Sequence, residues 1–244
     1  MIERARAHLD PITYQIEYLG KFKSYGDTAY YCFRPEINIQ EFVQYDPNLD
    51  LLIGLDFNVS PGVAVLMQDY PYFADRRIKG GLGQFKEVHI PIASNTHRIC
   101  KTLLELPEVK NHPGKVIFYG DATGNAKGTA KLDGSDWEIV ESLFRHKFGE
   151  RLEMDIPKSN PRERLRVNAV NASFGDVNNV VHHYIHPSCE YTIQDYRKVG
   201  IKEDGSIDKD SDKKLTHFSD AAGYIVVTRN PCTISTGGSA RTSY

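Results

Sequence analysis

The sequence lacks several features that mark well-known classes of protein. None of its apolar runs approaches the roughly 20 residues needed to span a bilayer, and its first residues lead into no signal-peptide core. Its four cysteines lie far apart without a C-x-x-C pair, so neither a zinc ribbon nor a redox motif is encoded. We therefore expect a soluble, unexported protein with reduced thiols.

Two further absences narrow the range of functions. The formal net charge is −2, so the chain is not a uniformly basic DNA coat, and any nucleic-acid surface must be local. The sequence contains no G-x-x-x-x-G-K-[ST] motif, and residues 124–129 resemble it only superficially. We expect no ATP site in this chain.

The 244 residues do contain enough apolar side chain for one packed α/β domain, with 40% hydrophobic residues. Apolar and β-branched runs predict strands, and periodic apolar positions behind capping residues predict helices. The predicted strands cover residues 28–33, 37–45, 51–57, 63–67, 85–90, 115–121, 151–156 and 181–185. The predicted helices cover residues 1–23, 94–106, 135–147, 162–174, 188–197 and 219–228.

The order of these elements is typical of a ribonuclease-H-like α/β fold, a mixed sheet of three antiparallel strands followed by parallel strands and flanked by helices. In that architecture, strands 51–57 and 115–121 lie side by side and parallel. Each strand leads to an aspartate, Asp56 or Asp121, so two carboxylates would meet where they can hold hard divalent cations. A third, Asp220, stands at the start of the last predicted helix.

Three converging carboxylates are what phosphodiester hydrolysis by two metal ions, roughly 3.5–4 Å apart, requires. Each aspartate also has a structural alternative. Asp56 and Asp121 can be turn formers at strand ends, and Asp220 can cap a helix. For Asp56 the functional interpretation is favoured, because the residue follows five apolar or Gly positions where an unpaired charge is costly.

Three segments resemble the nuclease signatures of the large terminases of tailed bacteriophages, which are DNA-packaging proteins. They are residues 54–58 with Pro61, residues 119–124 and residues 215–224. Residues 160–164, 167–168 and 187–189 are similar to the family's connecting region, and the resemblance extends from about residue 14 to residue 224. It implies the C-terminal nuclease domain of such a protein.

The resemblance implies a metal-dependent endonuclease that cuts double-stranded concatemeric viral DNA during genome packaging. Its cofactors would be two Mg²⁺ or Mn²⁺ ions, and its catalytic metal ligands would be Asp56, Asp121 and Asp220. A histidine at the position of His217 belongs to the active site in some family members. Here His217 can bind metal, move a proton or cap the helix, and these alternatives stay open.

The resemblance also implies a domain organisation and partners. Residues 1–45 would be the end of a missing ATPase domain and its linker, and residues 46–230 the nuclease domain. The Gly/Ser-rich composition of residues 231–244 predicts a disordered tail. The partners would be the ATPase domain, the small terminase subunit and the portal protein. The protein would act in the cytoplasm of the infected bacterium, transiently at the procapsid portal, and not at a membrane.

Basic residues on both sides of the predicted site are candidates for contacts with double-stranded DNA. They could bind DNA phosphates without contacting the bases, although each one alone could also be an ordinary surface residue. The candidates are Lys127, Lys131, Lys158, Arg162, Arg164 and Arg166.

Two other functions remain open for this sequence. The chain could be another ribonuclease-H-like DNA enzyme, such as a junction resolvase or transposase, or a noncatalytic module that docks on DNA or the portal. His182, His183 and His186 have no partners at zinc-ligand spacing, and we interpret them as strand and loop histidines.

Overall fold

The computed structural model of the chain describes residues 6–19, 28–57, 60–73, 78–125, 134–202 and 206–231. The strands in these ranges are β1 (Leu51–Asp56), β2 (Gly62–Tyr72), β3 (Lys79–Ile90), β4 (Val116–Gly120), β5 (Leu152–Met154) and β6 (His183–Ile185). They form one sheet in the order β5-β4-β1-β2-β3-β6. β2 pairs antiparallel with both β1 and β3. The other three pairs, β1 with β4, β4 with β5 and β3 with β6, are parallel. The predicted mixed sheet is confirmed.

Helices cover both faces of this sheet. They are α1 (Pro11–Leu19), α2 (Pro35–Asn38), α3 (Thr96–Glu105), α4 (Pro107–Lys110), α5 (Asp136–Phe148), α6 (Glu163–Phe174), α7 (Glu190–Lys198) and α8 (His217–Arg229). Short 3-10 turns occupy Ala122–Asn125 and Gly149–Arg151. None of the described helices is long and apolar enough to cross a membrane.

The central strand β1 divides the apolar core into two clusters, because successive side chains of a strand point to opposite faces. Leu52 packs in the cluster that contains residues of α6, α7 and α8. Ile53 and Leu55 pack in the cluster that contains residues of α3 and α5. Burial on both faces explains why the run 51–55 is continuously apolar.

Local capping signals position several helices as the sequence predicts. Asn95 caps α3, with its side chain accepting a hydrogen bond from the Arg98 amide at 2.8 Å. At α5 the capping box is complete, since Ser135 and Glu138 each bond the other's backbone N–H.

The strands β2 and β3 are longer than the predicted residues 63–67 and 85–90. Buried glutamines lie inside both extensions, where a sequence pattern would place an apolar residue. Gln68 donates to the carbonyls of Asp46 and Leu49, and Gln84 donates to the Thr192 hydroxyl at 2.7 Å. Because the side-chain NH₂ groups of both glutamines are bonded, polar residues are tolerated in the strand interiors, although Oε1 of Gln84 has no hydrogen-bond partner among the described residues.

The two strands predicted between residues 28 and 45 are wrong. That segment forms α2 instead, with isolated bridges at Thr28 and Ile39. Pro35 stands at the first helical position, where its fixed φ suits a helix, and the Asn38 side chain accepts from the Arg34 amide at 2.7 Å. Ala29 and Tyr30 are buried in one core cluster of the sheet and Val43 in the other, so residues before position 46 also contribute to this core.

Candidate active site

Two aspartates meet at one edge of the sheet. β1 and β4 are parallel neighbours with Leu55 opposite Gly120, so Asp56 and Asp121 leave the pair at the same level. The Asp56 side chain is 19% exposed and Asp121 is half-buried, so both are partly open to solvent. The structure therefore brings together the two carboxylates that the sequence predicted to be adjacent.

The Asp121 carboxylate is held by donors from three parts of the chain. Its Oδ1 accepts from the Thr123 amide at 2.6 Å and from the Asn160 amide group at 2.7 Å, and its Oδ2 accepts from the Tyr224 hydroxyl at 3.3 Å. Burial raises the pKa of Asp121, but these hydrogen bonds outweigh it and lower the pKa below the usual value. Asp121 is thus an oriented, ionised group.

His217 lies between two oxygen acceptors. Its Nδ1 is 3.0 Å from Oδ2 of Asp56, and its Nε2 is 3.1 Å from the Lys213 carbonyl oxygen. Both neighbours are hydrogen-bond acceptors, and the imidazolium form, with a proton on each ring nitrogen, satisfies both contacts. The hydrogen bond with Asp56 raises the pKa of His217, whereas burial opposes that rise. The contact with Asp56 therefore favours the protonated form of His217.

The first turn of α8 explains the position of His217. The helix begins at His217, two residues before the predicted start, after Thr216 with a left-handed φ of 78°. Oδ2 of Asp195, from α7, accepts from the Phe218 and Ser219 amides at 3.0 Å each. These amides are thus bonded by Asp195, and His217 is not the side-chain cap of this helix.

Asp220 lies inside α8, and its amide donates to the Thr216 carbonyl at 2.7 Å, so its predicted alternative as a helix cap is wrong. Its carboxylate is paired with two cations of the chain. Oδ1 is 2.6 Å from the Arg166 guanidinium, and Oδ2 is 2.9 Å from the Lys209 ammonium. Burial lowers the pKa of Lys209, but Asp220 and then Glu163 outweigh it and raise that pKa.

Arg166 is not placed to contact DNA, which corrects the prediction for this residue. Its side chain is only 7% exposed, since residues 166–174 of α6 are buried and the helix is not amphipathic in its second half. A guanidinium at that depth is paired with Asp220 instead of a solvent-exposed phosphate. The sequence pattern counted Arg166 as surface charge because it cannot show which helix face is covered.

Two glycines allow α8 to approach its neighbours closely. A methyl group on Gly54 would lie 2.4 Å from the Ala221 carbonyl oxygen, so β1 and α8 could not pack at their observed separation. A methyl group on Gly223 would lie 2.8 Å from Cγ of Arg166. The glycines thereby bring the helix carrying Asp220 against the strand carrying Asp56.

The predicted DNA contacts have different placements. Lys158, Arg162 and Arg164 are exposed in the segment between β5 and α6 and at the start of α6. Between them stands Asn160, which sequence reasoning did not single out. It bonds Asp121, and its Oδ1 accepts from the Ala122 amide at 2.8 Å, so this basic segment is joined to the site. Lys127 and Lys131 lie outside the described residues, as does the predicted tail beyond residue 231.

The chemistry of the donor set suits hard divalent cations only in part. Mg²⁺ is commonly held by one or two carboxylates together with water and substrate phosphates, and Asp56 and Asp121 match that requirement. Asp220 does not offer an unpaired oxygen, because Arg166 and Lys209 hold it. Within the described ranges, no group of three or more His, Cys, Asp or Glu side chains is arranged to hold a metal ion.

This sheet topology, with helices on both faces, is the fold of the nuclease domain of large terminases. The large terminase of a thermophilic bacteriophage is similar, with a TM-score of 0.60 and 17% identity over 93% of this chain and 51% of that chain. The P22 large terminase nuclease domain is similar with a TM-score of 0.55 and 12% identity, over 83% of this chain and 93% of that one.

These identities establish the fold alone. The chain spans about half the length of the large terminase of the thermophilic bacteriophage and most of the P22 nuclease domain. In sequence, no family model and no curated protein matches it. The expected resemblance to a terminase nuclease domain is confirmed at the level of three-dimensional structure.

Proposed function

We propose that this chain is a metal-dependent endonuclease that cuts double-stranded concatemeric DNA during the packaging of a viral genome. The observation that carries the proposal is the meeting of Asp56 and Asp121 at the ends of two parallel neighbouring strands. The same fold in the P22 nuclease domain supports it. Water is the nucleophile, and no covalent enzyme intermediate is required.

Asp56 and Asp121 would hold Mg²⁺ or Mn²⁺. When bound, such ions lower the pKa of the attacking water and neutralise the charge that develops on the leaving oxygen. A two-ion site also needs Asp220, whose Oδ2 is held by Lys209 in this structure. Lys209 would therefore have to release Oδ2 for Asp220 to hold a second ion.

The chain's own residues orient the site around these carboxylates. The hydrogen bond between Nδ1 of His217 and Oδ2 of Asp56 holds that carboxylate against rotation. Asn160 and Thr123 both donate to Oδ1 of Asp121 and fix its orientation. Preorganised groups of this kind lower the barrier because they do not need to reorient during the reaction.

The exposed basic residues Lys158, Arg162 and Arg164 would bind the DNA backbone beside Asp121, and Lys127 and Lys131 would extend that surface. By the terminase likeness, an ATPase domain, the small terminase subunit and the portal protein are the proposed partners. The proposed place of action is the infected bacterial cytoplasm, transiently at the procapsid portal.

A nuclease assay tests the proposal. Linear and branched duplex DNA are incubated with the protein and Mg²⁺ or Mn²⁺, with EDTA as the metal-free control. We expect Asp56→Ala and Asp121→Ala to abolish cleavage of the linear duplex by folded protein, because each removes a metal ligand. The melting temperature should fall modestly, because each change also removes the acceptor of hydrogen bonds in the site. The matched control is Asp50→Ala, an exposed residue just before the opposite end of β1.

The outcomes separate the alternatives. A preference for branched DNA would favour a junction resolvase or transposase, and the absence of cleavage at every Mn²⁺ concentration would favour a noncatalytic docking module. Undiminished cutting by Asp121→Ala would place the active site elsewhere.

Binding to the phosphate backbone of DNA predicts that the affinity of the protein for duplex DNA falls as the salt concentration rises. Arg162→Ala combined with Arg164→Ala should weaken binding to all duplex sequences alike and reduce the slope of log K against log salt by about 0.9 per lost phosphate contact. Lys101→Ala, an exposed change on α3, is the control. An unchanged slope in the double variant would show that the DNA-binding surface does not include Arg162 and Arg164.

A further inference from the structure

We propose that Arg166 and Tyr224 are positioning residues that hold the carboxylates of Asp220 and Asp121 in a fixed relation to each other. The inference rests on the proposed function, because it concerns the same carboxylates. Neither residue needs to touch DNA for this role. Its evidence is a continuous series of contacts that runs from Asp220 through two side chains to Asp121.

The first contacts are those of the Arg166 side chain. Its Nη2 donates to Oδ1 of Asp220 at 2.6 Å, and its Cζ lies 4.6 Å from the centre of the Tyr224 ring. The planar guanidinium therefore forms an ion pair and a cation–π contact at once, which a flexible ammonium group cannot reproduce with the same geometry. Arg166 fixes both partners because it is itself buried.

The second part of the series is the Tyr224 hydroxyl. Tyr224 follows Asp220 by four residues on α8, so the two side chains lie on the same side of the helix. Its hydroxyl donates to Oδ2 of Asp121 at 3.3 Å. Because Thr123 and Asn160 already hold Oδ1, the tyrosine completes the orientation of that carboxylate.

Space for this arrangement depends on the residue next to Tyr224. A Cβ on Gly223 would lie 2.8 Å from Cγ and 2.9 Å from Cδ of Arg166, so any side chain there would push the arginine away. Arg166 also differs from the other candidate DNA contacts of its segment, because Arg162 and Arg164 are exposed. Its burial indicates a role inside the site.

Two conservative substitutions test the positioning role. Tyr224→Phe keeps the ring for Arg166 but removes the hydroxyl, and Arg166→Lys keeps the charge for Asp220 but removes the planar contact. We expect each to weaken Mn²⁺ binding by about 10- to 100-fold, as loss of a group that orients metal ligands does. Mn²⁺ binding is measured by electron paramagnetic resonance on protein without DNA.

Further measurements distinguish positioning from a purely structural role. The single-turnover rate should fall with the Mn²⁺ affinity, whereas duplex affinity without metal and the melting temperature of Tyr224→Phe should stay at the wild-type values. Tyr72→Phe, a change on an exposed tyrosine of β2, is the matched control and should behave like the wild type. A lower melting temperature with unchanged Mn²⁺ affinity and rate would overturn the inference.

The double variant tests whether Arg166 and Tyr224 act through the same set of contacts on Mn²⁺ affinity. If they do, Tyr224→Phe with Arg166→Lys should lose no more Mn²⁺ affinity than the more affected single variant, whereas independent roles give additive losses. Additive losses would overturn the coupling. If the wild-type protein neither binds Mn²⁺ nor cuts DNA, the proposed function fails together with this inference. Wild-type behaviour of Tyr224→Phe in a protein that does both overturns this inference alone.

Discussion

Each carboxylate of the candidate site has its own set of partners, and these differ in charge. Asp56 is hydrogen-bonded to His217, whose pKa that contact raises, and Asp220 is paired with Arg166 and Lys209. Asp121 instead accepts from neutral donors. Each of the three carboxylates is thus compensated by cations or by hydrogen bonds, which reduces the electrostatic cost of placing acidic groups in one region.

His217 provides a prediction at this scale. His217→Ala should lower the single-turnover cleavage rate by roughly 100-fold, the range of lost general acid–base help, because it removes the proton directed at Asp56. The melting temperature should fall only modestly, through loss of the contacts with Asp56 and the Lys213 carbonyl, since Asp195 and not His217 caps the helix. Cleavage kinetics and a melting curve on the same preparation measure both effects.

The control for this variant is His146→Ala, which removes an exposed histidine of α5. A wild-type rate combined with reduced stability in His217→Ala would limit His217 to a structural role.

At the scale of elements, α7 and α8 receive their N-terminal caps from other parts of the chain. Glu87 of β3 accepts from the Tyr191 and Thr192 amides at 2.8 and 2.9 Å. Asp195 of α7 serves α8 in the same way. The residues preceding both helices make no side-chain cap, so the start of each helix depends on tertiary packing.

The cap of α8 predicts a change in stability. Asp195→Ala should lower the free energy of unfolding by about 1–2 kcal/mol, because two amides of the first turn lose their acceptor. Asp195→Asn keeps an acceptor and should retain most of that stability. Denaturant unfolding of both variants measures the difference, with Gln194→Ala on the same helix as the control.

The pH dependence of this cap has a definite sign. Burial raises the pKa of Asp195 to about 7, above its usual value of 3.8, so the folded state binds the proton more tightly than the unfolded state. Stability contributed by the protonated form is present below the ordinary pKa and is lost as pH rises toward 7. Asp195→Asn should therefore gain stability relative to the wild type above pH 7, and equal pH profiles would contradict this assignment.

At the scale of the whole molecule, a buried histidine makes global stability sensitive to acid. His183 of β6 is fully buried, its ring lies parallel to Phe174 at 5.0 Å, and neither ring nitrogen has a hydrogen-bond partner among the described residues. Burial lowers the pKa of His183 from 6.5 to about 3. The neutral form is therefore the one that fits the core.

The resulting prediction concerns unfolding below neutral pH. Since the unfolded chain binds the proton more tightly, the stability contributed by neutral His183 is fully present above pH 6.5 and is lost as pH falls toward 3. The loss should amount to up to roughly 1.4 kcal/mol per pH unit in that window. Denaturant unfolding at a series of pH values measures it, and His183→Leu should flatten the curve.

His97→Gln is the control for that series, because His97 lies exposed on α3 and its loss should leave the slope unchanged. An identical slope in His183→Leu and the wild type would assign the acid sensitivity to other groups.

The sequence by itself determined the elements whose signals are local. The continuous apolar run before Asp56 predicted strand β1, and a capping residue before periodic apolar positions predicted the helix from residue 135, since both signals depend only on neighbouring residues. The repeated pattern of a strand followed by an aspartate also predicted that Asp56 and Asp121 lie together.

Only the tertiary structure decided what depends on distant partners. Asp195 of α7 determines where α8 begins. The packing of α6 on α8 buries Arg166. Neither contact is encoded in the residue pattern of a single helix. In the same way, Asn160 and Tyr224 became part of the site because the folded chain brings them to Asp121 from 39 and 103 residues away. Contacts over such separations arise from packing and hydrogen bonding in the folded state, which a local sequence pattern cannot contain.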